Sequence, residues 1–591
     1  MEVRRELMIQ MLGTPVREGG IMGHCVGKDK SGKVNTLYLN FTQSEKPLAL
    51  VALNMDTRQA KTYRAPRDAG AWGSIAASDG CIYLGTYGTG TLYKFDPQKE
   101  EIEDLGTGIP GEEYIWDFAE DDYGNIYGGT YGNGKLMKYN LKSGEKTDLG
   151  VFREKLPYCR RIYKHKNGKI ICSMGTNPVG MGIYDPVTGE KKFVPYPDSN
   201  ANGFITIFYD EEDNLYARYQ DALYIIEDDS FVPFEGKVQE KNLLVLEDGS
   251  KVIRVASGEV TIQKADGTTE VIEYTYDSAG AEIFMLHKGP DDKIYGSSVL
   301  PLKMFSYDPK TGEMVNLGAP CSAGGEIYSM VNATDRLFTA SYGHSIVSVY
   351  DPKKPWNFGY EQENNPRQIH AFISHGQNRP KQMCVGPDGN IYIATTPVYG
   401  QISGALCRLN PNTYEYKVWR GIVGDDALES VAAIPGTPYI CAGSTPETGL
   451  GTAHGEPHDA YLLLFDVEKE EVVDTKQPVE GGRMIIDLHY YNGLMYGLVT
   501  GGWLFAYDYV KKETVSVKKL PARNIIWPGL HITRKGICYF GGDEKLYKMD
   551  LATDQIEVVE HIPDWRLGFV VDEEENKFYC SVKSTLFSID L

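Results

Sequence analysis

No stretch of this sequence approaches the ~18 consecutive apolar residues that a membrane-spanning helix needs. No CxxC pair occurs among its ten cysteines, which stand singly at Cys25, Cys81, Cys159, Cys172, Cys321 and onward. That spacing argues against disulfides and zinc and reads as buried, reduced thiols. GxSxG, HExxH and Walker sequences are missing, and with them the commonest hydrolase, metalloprotease and nucleotide-binding signatures. Basic residues are few: 60 Lys+Arg stand against 81 Asp+Glu, for a formal net charge of −21. An acidic surface repels phosphate backbones and anionic lipid, so neither nucleic acid nor membrane is expected as a partner. A local arginine cluster can still hold a small anionic ligand. The first residues, MEVRRELMIQMLGTP, lack the apolar centre of a signal peptide. With Met1 as the natural start the expectation is a cytoplasmic protein, and otherwise a secreted one.

Tyrosine and glycine are abundant, at 40 and 64 residues, which suits many short strands joined by tight turns. Self-similarity confirms this. Residues 80–97 read GCIYLGTYGTGTLYKFDP, residues 124–141 read GNIYGGTYGNGKLMKYNL, and residues 168–186 read GKIICSMGTNPVGMGIYDP. Each is a strand, a glycine-rich turn, a second strand and an Asp-Pro-like turn. A further strand follows, as in EIEDLG at 101–106, and an inner strand precedes, as in YIWDFAE at 114–120. The terminal turn recurs at Asp56, Asp96, Asn140, Asp185, Asp308, Asp351, Asn410, Asp466, Asp508 and Asp550. The pattern decays between Phe204 and Tyr276, where two weaker units fit, and a last unit runs from Trp565 to Leu591. Four strands every ~42 residues is the size and order of a β-propeller blade.

About thirteen such units exceed the roughly four to eight blades of one ring, so the predicted fold is all-β with two β-propellers. The expected division is residues 15–320 and 321–591. The last unit lacks its fourth strand, and residues 6–13, ELMIQMLG, have the shape to supply it. That pairing removes two exposed sheet edges. It leaves open whether one ring is nested inside the other.

Residues at the starts of inner strands converge on a propeller's axis. The early blades offer His24, Trp72, Tyr114, Trp116, Tyr158, Arg160 and Arg161; later ones offer Glu282, Glu326, Arg379, Arg483, Trp527, His531, Trp565 and Arg566. Trp and Tyr suit stacking on sugar rings, and Arg suits bidentate capture of a carboxylate. The competing reading is that these aromatics pack between blades. Strand alternation sends Arg160 and Arg161 to opposite faces, so one can face the axis while the other is solvated or ion-paired, against the competing reading of an ordinary surface salt bridge. Two long connectors, 353–380 and 443–460, are further places for binding groups. The first ends in His375, Gly376, Gln377, Asn378, Arg379 and Pro380, a set suited to hydroxyl and carboxylate recognition or to satisfying its own loop. His454 and His458, with Glu456 and Asp459, complete no metal motif, and Pro457 disfavours a helix there. GTYGTG and GTYGNG lie between strands with no helix dipole behind them, which excludes a phosphate loop.

The repeated IYxGTYxxGxLYxYDPxTGE pattern, over nearly the whole chain, resembles bacterial propeller proteins with PQQ-like, NHL-like or WD40-like repeats. A narrower resemblance is to propeller polysaccharide lyases and the related α-L-rhamnosidases that act on rhamnose–glucuronate linkages. That resemblance implies proton transfer by His or Tyr and neutralisation of a uronate carboxylate by Arg. The residues of matching type are His24, Tyr114, Tyr158 and Arg160, which become the candidate catalytic set. Trp72, Trp116, Arg161, His375, Gln377, Asn378, Arg379 and Arg483 become candidate substrate-binding residues. A PQQ pocket with calcium ligands is not identifiable, so neither metal nor cofactor is expected. The functional expectation is action on an acidic, uronate-containing oligosaccharide by lyase or glycosidase chemistry. The alternative is a non-catalytic ligand-binding or protein-interaction propeller.

Overall fold

A computed structural model of the chain describes residues 9–43, 46–449, 451 and 453–591. Among the described residues it contains 51 β-strands and a single turn of 3-10 helix at Phe372–His375. The strands form antiparallel sheets, nearly all four-stranded and in sequential order, as expected of propeller blades.

Two recurrent contacts explain why the repeat looks as it does. At the turn between third and fourth strands an aspartate caps the backbone: Asp96 Oδ1 accepts from Gln98 N (2.9 Å), Asp185 Oδ1 from Val187 N (2.8 Å), and Asp308 Oδ1 from Lys310 N (2.8 Å). The turn closes with a left-handed residue, which is Gly189 (φ 74°) or Gly312 (φ 75°) in the TGE copies. Between first and second strands a tyrosine hydroxyl donates to a turn aspartate. Tyr83 reaches Asp79 (2.9 Å), Tyr127 reaches Asp121 (2.9 Å), Tyr295 reaches Asp291 (3.1 Å) and Tyr392 reaches Asp388 (3.0 Å). Much of the tyrosine content is therefore architectural. So is the repeated glycine of the second strand. A Cβ on Gly85 would lie 2.6 Å from Cβ of Ile115, and one on Gly129 would lie 2.3 Å from the carbonyl oxygen of Cys159. In both cases the crowding atom belongs to the first strand of the next sheet, so only glycine admits that approach.

The chain divides into two compact units, Glu18–Ala279 and Met1–Arg17 with Gly280–Leu591. The breaks fall at 17/18 and 279/280 and not at 320/321. The sheet built from Ile283–Lys288, Ile294–Ser298, Met304–Tyr307 and Met314–Gly318 therefore belongs with the C-terminal sheets. The smaller unit is an insertion.

The larger unit holds seven sheets. Their first strands are Ile283–Lys288, Ile327–Ala333, Gln377–Val385, Ala427–Ala433, Ile485–Tyr491, Ile525–Ile532 and Phe569–Asp572. Each first strand packs beside the next, and the seventh packs beside the first. Side-chain hydrogen bonds run round this belt. Met383 N donates to Ser329 Oγ (2.8 Å), Ser430 Oγ to Ile485 O (2.8 Å) and Ser581 Oγ to Ile283 O (3.5 Å). The seventh sheet takes its outer strand from the other end of the chain. Gln10–Gly13 pairs antiparallel with Thr585–Asp590, with Gln10 opposite Ser588 and Met11 opposite Phe587. Residues 6–8 of the expected strand lie outside the described residues. Apolar clusters span neighbouring sheets, as where Met285, Met304, Ile327 and Leu337 meet.

The Glu18–Ala279 unit holds six sheets. Their first strands are Gly20–Lys28, Ala71–Ala76, Tyr114–Glu120, Tyr158–Lys164, Thr206–Tyr209 and Lys251–Ala256. The third and fourth are joined by one bridge, Tyr131 to Tyr158, and the sixth has three strands. The fifth and sixth occupy the stretch where the sequence repeat fades. One cluster unites the first and last sheets through Leu37, Leu39 and Phe41 against Val252, Val260 and Ile262. Each such side chain contributes about 1.5–3 kcal/mol on burial.

Candidate functional site

A β-bulge interrupts most of the first strands, leaving one residue unpaired with the second strand. In the Glu18–Ala279 unit the skipped residues are Met22, Trp72, Trp116, Arg160 and Ile253. In the larger unit they include Phe284, Tyr328, Lys381, Glu429 and Ile486. A bulge bends the strand and re-aims the extra side chain. The re-aimed side chains of successive sheets meet one another, and this builds both candidate sites.

In the Glu18–Ala279 unit the result is an aromatic arc. The rings of Trp72 and Trp116 lie 5.3 Å apart. The Arg160 guanidinium sits 5.2 Å above Trp116 and 4.5 Å above Phe204. Tyr114 stacks on Trp116 at 5.1 Å and 10°. Tyr158, only 3% exposed, stands behind Trp116 (5.9 Å) and edge-on to Phe204 (5.1 Å). Trp72, Tyr114, Trp116, Arg160 and Phe204 each keep part of their surface in solvent. The Trp116 indole N–H finds no acceptor among the described residues.

Alternation alone sends Arg160 and Arg161 to opposite faces, but the bulge between Cys159 and Arg161 brings both towards the neighbouring first strand. Arg160 lies over Trp116, and Arg161 Nη1 stands 3.9 Å from Asp117 Oδ2. Burial pushes the Asp117 carboxyl up from its ordinary range, opposed by Arg161 and by the Ile162 N–H donated to it (3.2 Å). His24 keeps solvent contact yet is crowded by surrounding protein. That crowding first, and the charge of Arg161 second, lower its pKa and favour the neutral imidazole. The structure thus gathers Trp72, Tyr114, Trp116, Tyr158 and Arg160 through direct ring and guanidinium contacts. His24 joins them through Arg161.

The larger unit builds a different centre. Phe284, Tyr328 and Trp527 pack within 4.9–5.5 Å of one another. Lys381 Nζ lies 5.2 Å from the Tyr328 ring and pairs with buried Glu429 at 3.1 Å. Two residues earlier on the same strand, Arg379 is only 9% exposed. Its guanidinium lies 4.7 Å from the Tyr342 ring and 5.4 Å from the Tyr399 ring, and Nη2 donates to the Tyr399 hydroxyl at 3.2 Å. Nη1 is buried and has no acceptor among the described residues. Burial raises Glu326 to about 7, against the opposing pull of Arg379.

Several other residues expected in this unit are engaged with the protein itself. Gln377 is fully buried, accepting from Thr395 Oγ1 (2.8 Å) and donating to His375 O (3.3 Å). Asn378 Oδ1 accepts from His344 N (2.8 Å). His375 leans on Tyr416 (3.5 Å), and Arg483 Nη1 donates to His458 O (2.8 Å). His458 Nε2 meets buried Asp426 at 2.9 Å, which anchors the 443–460 connector. Trp565 is core, 2% exposed, and His531 faces Glu573 at 3.3 Å. No group of three or more metal-ligating side chains occurs among the described residues. Sequence reading missed Phe204, Phe284, Tyr328, Tyr342, Lys381, Tyr399 and Glu429. Four of these, Phe284, Tyr328, Lys381 and Glu429, stand on bulges, which no sequence periodicity marks.

No protein-family model matches the chain, and neither does any curated protein. Solved structures similar to it are extracellular domains from B. thetaiotaomicron. That of the one-component system BT4673 is 12% identical at TM-score 0.36, covering 99% of this chain and 83% of the other. That of the hybrid two-component system BT3049 is 13% identical at TM-score 0.36, covering 93% and 73%. Likenesses this distant say nothing about ligand or activity. The expectation of a cytoplasmic protein is corrected beside them, since each is an extracellular domain. No helix among the described residues is long and apolar enough to cross a membrane.

Proposed function

We propose that the Glu18–Ala279 unit is a non-catalytic binding module for an acidic saccharide. One observation carries this reading: three successive first strands each bulge at the residue that joins a continuous Trp72–Trp116–Arg160 arc. The partly exposed indoles present faces to a sugar ring. Arg160 and Arg161 supply planar donors for a uronate carboxylate. A neutral His24 adds one donor and one acceptor at the rim.

Binding is favoured over lyase or glycosidase chemistry because the aromatic candidates are packed on one another. Tyr114 lies flat on Trp116, and the Tyr158 ring is enclosed by Trp116, Tyr131 and Phe204. Titration calorimetry with uronate-containing oligosaccharides tests the proposal. Wild-type protein should bind a member of the panel and leave it intact, and Trp116→Ala should weaken binding by about 10–100-fold. Appearance of unsaturated uronate absorbance would restore the lyase reading. Equal affinity in Trp116→Ala would remove the arc from the site.

A further inference from the structure

Arg379 in the seven-sheet unit is a cation with an unusual environment. It is 9% exposed, so its charge has lost most of its hydration. Burying a charge without a counter-ion costs several kcal/mol, and proteins pair such groups. No carboxylate among the described residues lies within ion-pair distance of it, whereas Lys381, two residues on, has Glu429 at 3.1 Å. Two tyrosine faces and one tyrosine hydroxyl satisfy part of the guanidinium. Nη1 remains without an acceptor. On the adjoining strand Thr396, the register partner of Arg379, holds a second buried hydroxyl with no partner among the described residues.

The surroundings are not sealed. Glu326, Tyr328, Tyr342 and Tyr399, which interact with Arg379 or with one another, all keep part of their surface in solvent. Glu326 is a poor permanent counter-ion, because burial keeps it partly protonated at neutral pH. In its acid form it is a hydrogen-bond donor.

We propose that the seven-sheet unit carries a second binding site, in which Arg379 Nη1 takes the carboxylate of a small organic acid against the rings of Tyr342 and Tyr399. A singly charged carboxylate matches the one guanidinium charge, whereas a sulfate dianion would leave a second charge buried without a partner. Tyr328 and Trp527 offer apolar faces for the remainder of the ligand. This site stands apart from the aromatic arc and does not depend on it.

The test is titration of the full chain with glucuronate, and with sulfate as a tetrahedral control, for wild type, Arg379→Gln, Arg379→Lys and Trp116→Ala. Trp116→Ala should keep the glucuronate binding event at Arg379 with unchanged affinity, even where it loses a second event at the arc. Arg379→Gln should lower that affinity at least about tenfold. Arg379→Lys keeps the charge and loses the planar fork, so it should weaken binding about tenfold and serve if the glutamine variant does not fold. Failure of wild type to bind glucuronate at millimolar concentration would overturn the site. So would unchanged binding in both Arg379 variants. Loss of all glucuronate binding in Trp116→Ala would assign it to the other unit, and sulfate binding as tightly as glucuronate would overturn the carboxylate assignment. A chain that binds oligosaccharide at the arc but no glucuronate at Arg379 separates the failure of this site from failure of the first.

Discussion

Asp487→Ala should damage the seven-sheet unit more than any other substitution of a single polar side chain in its belt. The carboxylate is 4% exposed and spans three sheets. Oδ1 accepts from Gln382 Nε2 (2.7 Å) and Leu488 N (2.9 Å), and Oδ2 accepts from Gly529 N (3.1 Å) and Leu530 N (3.0 Å). Gln382 is itself fixed by Val431 N on its Oε1 (2.9 Å), so a fourth sheet depends on the same group. Alanine leaves the Gly529, Leu530, Leu488 and Gln382 donors in place with nothing to receive them. Each unsatisfied buried donor costs about 1–3 kcal/mol. The vacated space can admit a water to serve two of them, so two stay unsatisfied and the expected loss is about 2–6 kcal/mol. That is a large share of the roughly 5–15 kcal/mol typical of a folded domain. Two units unfolding separately would blur a bulk melt, so hydrogen exchange read peptide by peptide is the better assay. Protection should fall across the first strands of residues 280–591 and stay unchanged in residues 18–279. A loss below about 1 kcal/mol, or an equal loss in both units, would refute the reasoning.

Removing residues 1–13 should expose the edge of Thr585–Asp590 and cause aggregation or a lower melting temperature; unchanged solubility and melting would count against closure by Gln10–Gly13. Lys381→Met leaves buried Glu429 unpaired and should cost about 3–5 kcal/mol, with the double variant Lys381→Met, Glu429→Gln recovering most of it in a denaturant series. Glucuronate binding at Arg379 should be strongest below pH 7 and weaken as pH rises through about 7, where Glu326 ionises, repels the ligand and neutralises Arg379. The other groups facing this point are Tyr328, Tyr342, Tyr399, Lys381 and Glu429; burial raises the first two tyrosines well above this range, and Lys381 and Glu429 are paired with each other. Glu326→Gln should abolish the slope, and a slope that persists would place the titrating group elsewhere.

The blade was legible because its signals are local. The capping aspartates, the left-handed glycines and the Tyr–Asp pair each act within a few residues, so each leaves a mark at fixed spacing. Closure by the N-terminal strand was legible too, because a missing outer strand at one end matched an orphan strand at the other. Strand order alone suggests that the candidate residues of the first site lie near one another, but not the reason. Trp116 and Arg160 meet because each occupies a bulge, and a bulge depends on how the next sheet crowds the strand. His375, Gln377 and Asn378 are suited by type to recognition, and in the structure they contact Tyr416, Thr395 and His344 of neighbouring segments.

The amino-acid sequence by itself determined the all-β class, the blade, the approximate number of blades and the way the chain ends join, since all of these rest on short-range turn chemistry and strand periodicity. Only the tertiary structure decided where the chain divides, that one unit is inserted in the other, and which side chains reach the centre of each. Those outcomes depend on contacts between sheets whose residues are far apart in the chain. Neither the partnerless nitrogen of Arg379 nor the bulges that aim Trp72, Trp116, Lys381 and Glu429 has a local sequence mark.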